Sequence, residues 1–174
     1  SVENILIESS NVGSIQIARK IGEKKYKEFI NDLNILNIPQ LELNEISSPP
    51  DIKWNKCKLE TVSFGHGIMT SPLQITSAYA AISNGGFIVS PTLLKNNTAN
   101  LLNKKQVISK ETSKKIVNIL RKVVTEKKGT ASMADIFGYE LAGKTGTAQN
   151  YQSKEENINT FISVFPAQNP KYIL

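Results

Sequence analysis

The sequence predicts an α+β or α/β layered domain, with helices packed on an antiparallel sheet, the helices coming first and the strands last. Three observations predict it. Apolar residues recur at helical spacing through much of residues 1–136, and polar capping residues or glycines stand at the ends of the runs. Residues 137–174 change to segments of strand-like pattern around a polar, charged connection. A composition of 40% hydrophobic and 21% charged residues over 174 positions is that of one globular domain with a real core.

Taken in order, Val2, Ile5 and Leu6 begin the chain already in a helical pattern. Glu8-Ser9-Ser10-Asn11 is a polar break at which one helix stops and the next begins, capped by Ser10 or Asn11. Val12, Ile15 and Ala18, with Ile17 and Ile21 beside them, form the next apolar face, and Gly22 ends it. Tyr26, Phe29, Ile30 and Leu33 fall at i, i+3, i+4 and i+7 and predict an amphipathic helix. Residues 37–60, with Pro39, Pro49 and Pro50, read as a long connection of the kind that covers a site or forms a lid. Ser71 as N-cap and Pro72 at the first position start a helix whose buried face is Ile75, Ala78, Tyr79 and Ile82, ended by Asn84-Gly85-Gly86. Residues 87–94 read as a short strand and turn. Ser109 caps a helix with the stripe Ile116, Leu120, Val123 and Val124; Lys127 and Lys128 suit its negative end, and Gly129 stops it. Residues 139–148 and 160–165 predict adjacent antiparallel strands, and 171–174 reads as a strand just beginning. Both ends of the sequence read as cuts, one inside a helical pattern and one on an apolar run.

Composition excludes several functions. Twenty-one basic residues against fifteen acidic ones give +6, but nearly all are scattered lysines with little aromatic interleaving, which is a set of solvated faces and not a nucleic-acid groove. A single cysteine, Cys57, excludes an internal disulfide and offers no metal-ligand spacing. No run reaches the roughly 18 apolar residues of a membrane span, and no signal peptide is visible.

Two motifs carry chemistry: Ser9-Ser10-Asn11 on the break between helices, and Lys144-Thr145-Gly146-Thr147 within a strand. Each alone is weak, since polar residues at a helix start are ordinarily caps and a strand lysine ordinarily faces solvent. Together, and in this order, they match the second and third members of the S-x-x-K, S-D-N and K-T-G set of penicillin-binding proteins and class A β-lactamases. The context residues extend the match: 61–68 around Phe64-Gly65-His66-Gly67, Ser71-Pro72-Leu73-Gln74, Asn84-Gly85-Gly86, Gly129-Thr130-Ala131 and 142–148. Over nearly its whole length the chain resembles the transpeptidase domain of class B penicillin-binding proteins, and most of all their septal, cell-division members.

That resemblance implies the penicillin-binding, serine β-lactamase-like fold and a serine-type D,D-transpeptidase acting on peptidoglycan stem peptides, open to β-lactams, with no metal or organic cofactor. It implies that Ser9 relays a proton, Asn11 holds a substrate amide and Lys144 supplies positive charge. Thr145 and Thr147 would bind the peptide's terminal carboxylate beside Gly146, and the Thr147 N–H would form half of the oxyanion hole. Its partners would be divisome and cell-wall synthesis proteins. It would stand on the outer side of the inner membrane, with an N-terminal anchor absent from these residues. On physical grounds Gly143 and Gly146 clear a strand edge for an extended peptide.

Other residues take plainer readings. His66 is a turn residue near the cleft in preference to a base, Cys57 a passive thiol, and Lys104-Lys105 and Lys127-Lys128 solvated faces. No serine in the sequence begins an S-x-x-K. The nucleophile is therefore not in this chain, and residues 1–174 alone are expected to be inactive. A β-lactamase or β-lactam sensor of the same fold is the nearer alternative, although Gln40 stands where its E-x-x-L-N stretch has Glu. A non-catalytic scaffold is the other, and an upstream S-x-x-K would favour an enzyme over it.

Overall fold

The apolar stripe of one helix links the first helix of the chain to the sheet. The computed structural model describes residues 1–38, 41–43, 53–55, 57–95, 105–149 and 157–174. The described helices are α1 (Val2–Ile7), α2 (Asn11–Ile21), α3 (Glu23–Asp32), α4 (Lys58–Ser63), α5 (Pro72–Ser83) and α6 (Lys110–Thr125). The strands are β1 (Ala142–Gln149), β2 (Asn157–Phe165) and β3 (Tyr172–Ile173). In α6, Val117, Leu120, Val123 and Val124 are buried and lie on one face. Val123 and Val124 pack with Ile7 of α1 and with Ala131, while Val117 and Leu120 pack with Ala142 of β1 and with Ala167. One helix thus carries α1 at one end of its stripe and the sheet at the other.

Polar contacts repeat that division. Lys122 pairs with Glu3 of α1. Its neighbour Arg121 donates 2.8 Å bonds to Asp135 and to the Leu141 carbonyl at the entry to β1. Near the start of α6, the buried Ser113 hydroxyl donates to Ile82 O at 2.6 Å and accepts from Gly85 N at 3.1 Å, which ties α6 to the end of α5. Ala78 and Ala81 of α5 form a further cluster with Leu33.

The helix starts follow from their caps. Ser10, not Asn11, caps α2 by accepting from Gly13 N at 3.2 Å. Ser71 and Gln74 form a reciprocal capping box at α5. Strand order is β1-β2-β3, all antiparallel, with Lys144 opposite Ile162 and Thr145 opposite Phe161. The two expected strands are adjacent, with shifted ends: β1 begins at Ala142 because Gly138 (φ 88°) and Glu140 (φ 50°) put left-handed turns before it. The connection 150–156 lies outside the described residues.

Three expectations need correction. Helix α4 starts inside the segment read as the connection 37–60; at six residues, with Cys57 before it making no side-chain cap, it lacks the period and signal that reveal a helix. Pro39, Pro49, Pro50 and Gln40 lie outside the described residues. Residues 87–94 form no ladder: Phe87 makes one isolated bridge to Gln106. Helix α6 ends at Thr125, so Lys127 and Lys128 lie beyond its last turn, and the Lys128 ammonium instead meets Glu8 at 3.1 Å.

Gly86 joins α5 to that bridge at φ 96°, and a Cβ there would stand 1.8 Å from the Ile108 carbonyl oxygen. Gly86→Ala is therefore expected to lower stability by about 3 kcal/mol, left-handed strain and overpacking together. Gly138→Ala meets open space and should cost only the strain, about 1–2 kcal/mol. Denaturant midpoints of the two variants in the complete protein check the difference.

Candidate active site

Ser9 stands where a helix end would ordinarily place glycine. After α1 ends, Ser10 N donates to Ile5 O at 2.9 Å and Ser9 N to Leu6 O at 3.4 Å, the paired bonds of a Schellman motif. Ser9 is its left-handed residue, at φ 53°. A Cβ in that conformation carries strain of the order of 1 kcal/mol, and such strain concentrates at functional positions. Ser10 then caps α2 at once, so a helix end on one side and a helix start on the other orient the exposed Ser9 side chain.

Across from it, β1 delivers Lys144. The Lys144 ammonium donates to Ser9 Oγ, across 135 residues of sequence, and to Thr145 O at 3.1 Å. Thr145 Oγ1 donates to Thr130 Oγ1 at 2.8 Å, and Thr130 Oγ1 lies 3.4 Å from Ser9 Oγ. Four side chains from three parts of the chain thus share one hydrogen-bonded cluster. Lys144 is half-buried, and burial lowers its pKa below the ordinary lysine value because the cation has lost water. No carboxylate is among its bonded partners within the described residues, so its charge is only partly compensated.

The other expected residues are placed as follows. Asn11 is the exposed first residue of α2, two positions past Ser9, and its amide is not the cap. Gly146 and Thr147 lie further along β1; the Thr147 hydroxyl donates to its cross-strand neighbour Asn159 at 3.1 Å and does not join the Lys144 cluster. Within the described sheet β1 is an edge strand. The glycines clear space chiefly for the partner strand: a Cβ on Gly143 would lie 2.7 Å from the Phe161 ring and 2.6 Å from Ile162 O, and one on Gly146 2.6 Å from the Thr160 hydroxyl. His66 belongs to the turn after α4, its ring 5.0 Å from that of Phe64, and makes none of the cluster's bonds. Cys57 is exposed, and the described residues hold no group of metal-ligating side chains. Sequence reasoning assigned Thr130 no role; its signal was the Gly129-Thr130-Ala131 context alone.

The family model for the penicillin binding protein transpeptidase domain matches residues 1–174. The chain belongs to that transpeptidase family. Among curated relatives, the probable peptidoglycan D,D-transpeptidase FtsI of Caulobacter vibrioides is 29% identical over 93% of this chain and 29% of its own length. The peptidoglycan D,D-transpeptidase FtsI of Buchnera aphidicola is 30% identical over 100% of this chain and 32% of its own. Penicillin-binding protein 3 of Mycobacterium tuberculosis, solved with ampicillin, superposes with a TM-score of 0.84 at 27% identity, over 99% of this chain and 43% of that one. The transpeptidase domain of penicillin-binding protein 3 from Burkholderia pseudomallei shares the fold, with a TM-score of 0.90 at 24% identity, over 99% of this chain and 54% of that one. The chain spans about a third of the length of these curated transpeptidase relatives. The expected penicillin-binding fold is the one found.

Because Ser9 sits at a glycine position, Ser9→Gly should be more stable than Ser9→Ala by about 1 kcal/mol, the reverse of the order in a helix interior. Thermal and denaturant melts of the two variants in the complete protein measure this; equal stabilities would remove the strain argument.

Proposed function

We propose that the protein carrying this chain is a serine D,D-transpeptidase that crosslinks peptidoglycan stem peptides in septal wall synthesis. The observation that carries the reading is the half-buried Lys144 ammonium, held between a strand edge and the Ser9 hydroxyl. The names of the curated relatives support it.

Amide exchange needs three things: a serine that attacks the carbonyl, donors for the oxyanion, and a proton for the departing amine. The attacking serine is supplied by the protein outside these 174 residues. It bonds to the penultimate D-alanine carbonyl, the C–N bond to the terminal D-alanine breaks, and a neighbouring stem-peptide amine later displaces the serine. Lys144 contributes fixed positive charge in a partly desolvated cleft, where it acts more strongly than in water. Ser9 is placed to pass a proton to the leaving nitrogen, and Asn11, free of capping duty, to hold a substrate amide. The edge of β1 offers main-chain pairing to an extended peptide, with the Thr145 and Thr147 hydroxyls for its terminal carboxylate. β-Lactams enter the same cleft and acylate the same serine. Division and wall-synthesis proteins are the partners that suit this role. Since the substrate is cell wall, the site belongs on the outer side of the inner membrane; no described helix is long and apolar enough to cross a membrane.

Two measurements test the reading. A fluorescent penicillin should label the complete protein on a serine outside these residues, and Lys144→Ala should slow labelling by about 100-fold or more while stability changes little. Unchanged labelling would overturn the role of Lys144. The pH profile supplies the second. Burial lowers the Lys144 pKa, so the active ammonium is lost, and labelling falls, at a pH below the 10.5 of an ordinary lysine. The same shift makes the buried cation a stability cost at lower pH that is relieved as pH rises toward 10.5. Lys144→Arg, which stays charged, should move the alkaline fall upward.

A further inference from the structure

Ser9 Oγ has two lone pairs and one proton. For Ser9 to give that proton to a leaving nitrogen, the proton must point into the cleft and not back toward the protein. Two donors filling both lone pairs enforce this. Lys144 is one of them. The Thr130 hydroxyl, 3.4 Å from Ser9 Oγ in a pair where either oxygen can be the donor, is the other within reach. Its own oxygen accepts from Thr145 Oγ1 at 2.8 Å, which leaves the Thr130 proton available for Ser9.

We propose that Thr130 is a positioning residue for the transpeptidase reaction: pinned by Thr145, its hydroxyl donates to Ser9 and turns the Ser9 O–H toward the departing nitrogen. The inference deepens the proposed function and rests on it.

The backbone supports this placement independently of the side chains. Thr130 N donates to Ile7 O at 3.3 Å, and Ile7 lies two residues before Ser9 on the helix end that presents it. Ala131, the next residue, is buried with Ile7, Val123 and Val124, and its N–H reaches Val123 O at 3.3 Å. Main chain and side chain of Thr130 therefore grip the same helix end, one through Ile7 and the other through Ser9. At 3.4 Å the hydroxyl contact is long, as catalytic hydrogen bonds often are before substrate binds.

The proton count closes. The leaving nitrogen takes the Ser9 proton as its bond to carbon breaks. Ser9 is reprotonated by the proton that the attacking serine releases, so one proton is released and one consumed while the Lys144 ammonium keeps its charge. Thr130 and Thr145 keep theirs; they set direction only.

The test uses the complete protein and stopped-flow acylation by a penicillin, which separates the binding constant from the acylation rate constant. Thr130→Val keeps the shape and removes the donor; it should lower the acylation rate constant about 10- to 100-fold and leave the binding constant unchanged. Thr130→Ser restores the hydroxyl and should recover the rate to within about 3-fold. In a Ser9→Ala background, Thr130→Val should have no further effect. A Thr130→Val loss confined to binding would assign the hydroxyl to the ligand and overturn the proposal. So would a loss that Thr130→Ser fails to rescue, or one that persists unchanged without Ser9. If Ser9→Ala and Lys144→Ala slow acylation but Thr130→Val does not, Thr130 alone loses its role. If Ser9→Ala and Lys144→Ala are themselves without effect, the function proposed for this site fails instead.

Discussion

The buried stripe of α6 is the constraint on which the rest depends. Val123 and Val124 fix Ile7, and hence the helix end that carries Ser9; Val117 and Leu120 fix Ala142, and hence the strand that carries Lys144. The packed interior allows little slack, so the distance from Ser9 to Lys144 is set by side chains that touch neither. Lys122 and Arg121 repeat the arrangement with polar contacts, one to α1 and one to the entry of β1. Most of the Lys122 pair's strength is screened at the surface, so the apolar stripe supplies the energy and the charged pair contributes registration. Segment 129–131 closes the triangle, because Ala131 packs into the α1 end of the stripe while Thr130 faces the cleft side chains.

The cluster runs against local stability in two ways, and both suit the site proposed here. Ser9 holds a left-handed backbone that glycine would adopt without strain. Lys144 gives up water without a bonded carboxylate among the described residues to compensate it. A strand lysine free to reach solvent would do neither. On the function proposed for this site, the backbone strain aims a hydroxyl, and the desolvation leaves a cation able to act on charge that develops during reaction.

Much of this was legible in the sequence, for identifiable reasons. Helices of ten residues or more repeat their apolar pattern often enough to be read, and Ser71-Pro72 and Ser109 announce their starts. The hairpin was readable because Phe161, Ser163 and Phe165 alternate along the second strand and a polar connection precedes it. Helix α4 was hidden, because six residues give less than two turns of pattern and Cys57 makes no cap. The extent of β1 was misread because Glu140 in a left-handed conformation leaves no compositional trace. At the site, Ser9 and Lys144 could be named from motif order, but their meeting depends on contacts among residues far apart in sequence. Thr130 was invisible for the same reason: its importance lies in standing 2.8 Å from one hydroxyl and 3.4 Å from another. Gly143 and Gly146 invited a ligand-centred reading, yet their missing side chains make room for Phe161 and Thr160 of the partner strand.

A crystal structure of the complete protein acylated by a penicillin tests this cleft most directly. The opened drug should lie along the free edge of β1, with its carboxylate at hydrogen-bond distance from the Thr145 or Thr147 hydroxyl and its ring nitrogen beside Ser9 Oγ. Lys144 should still bridge to Ser9. An acylated serine whose ligand lies away from β1, with Ser9 and Lys144 remote from the ring nitrogen, would contradict the assignment of these residues to the reacting centre.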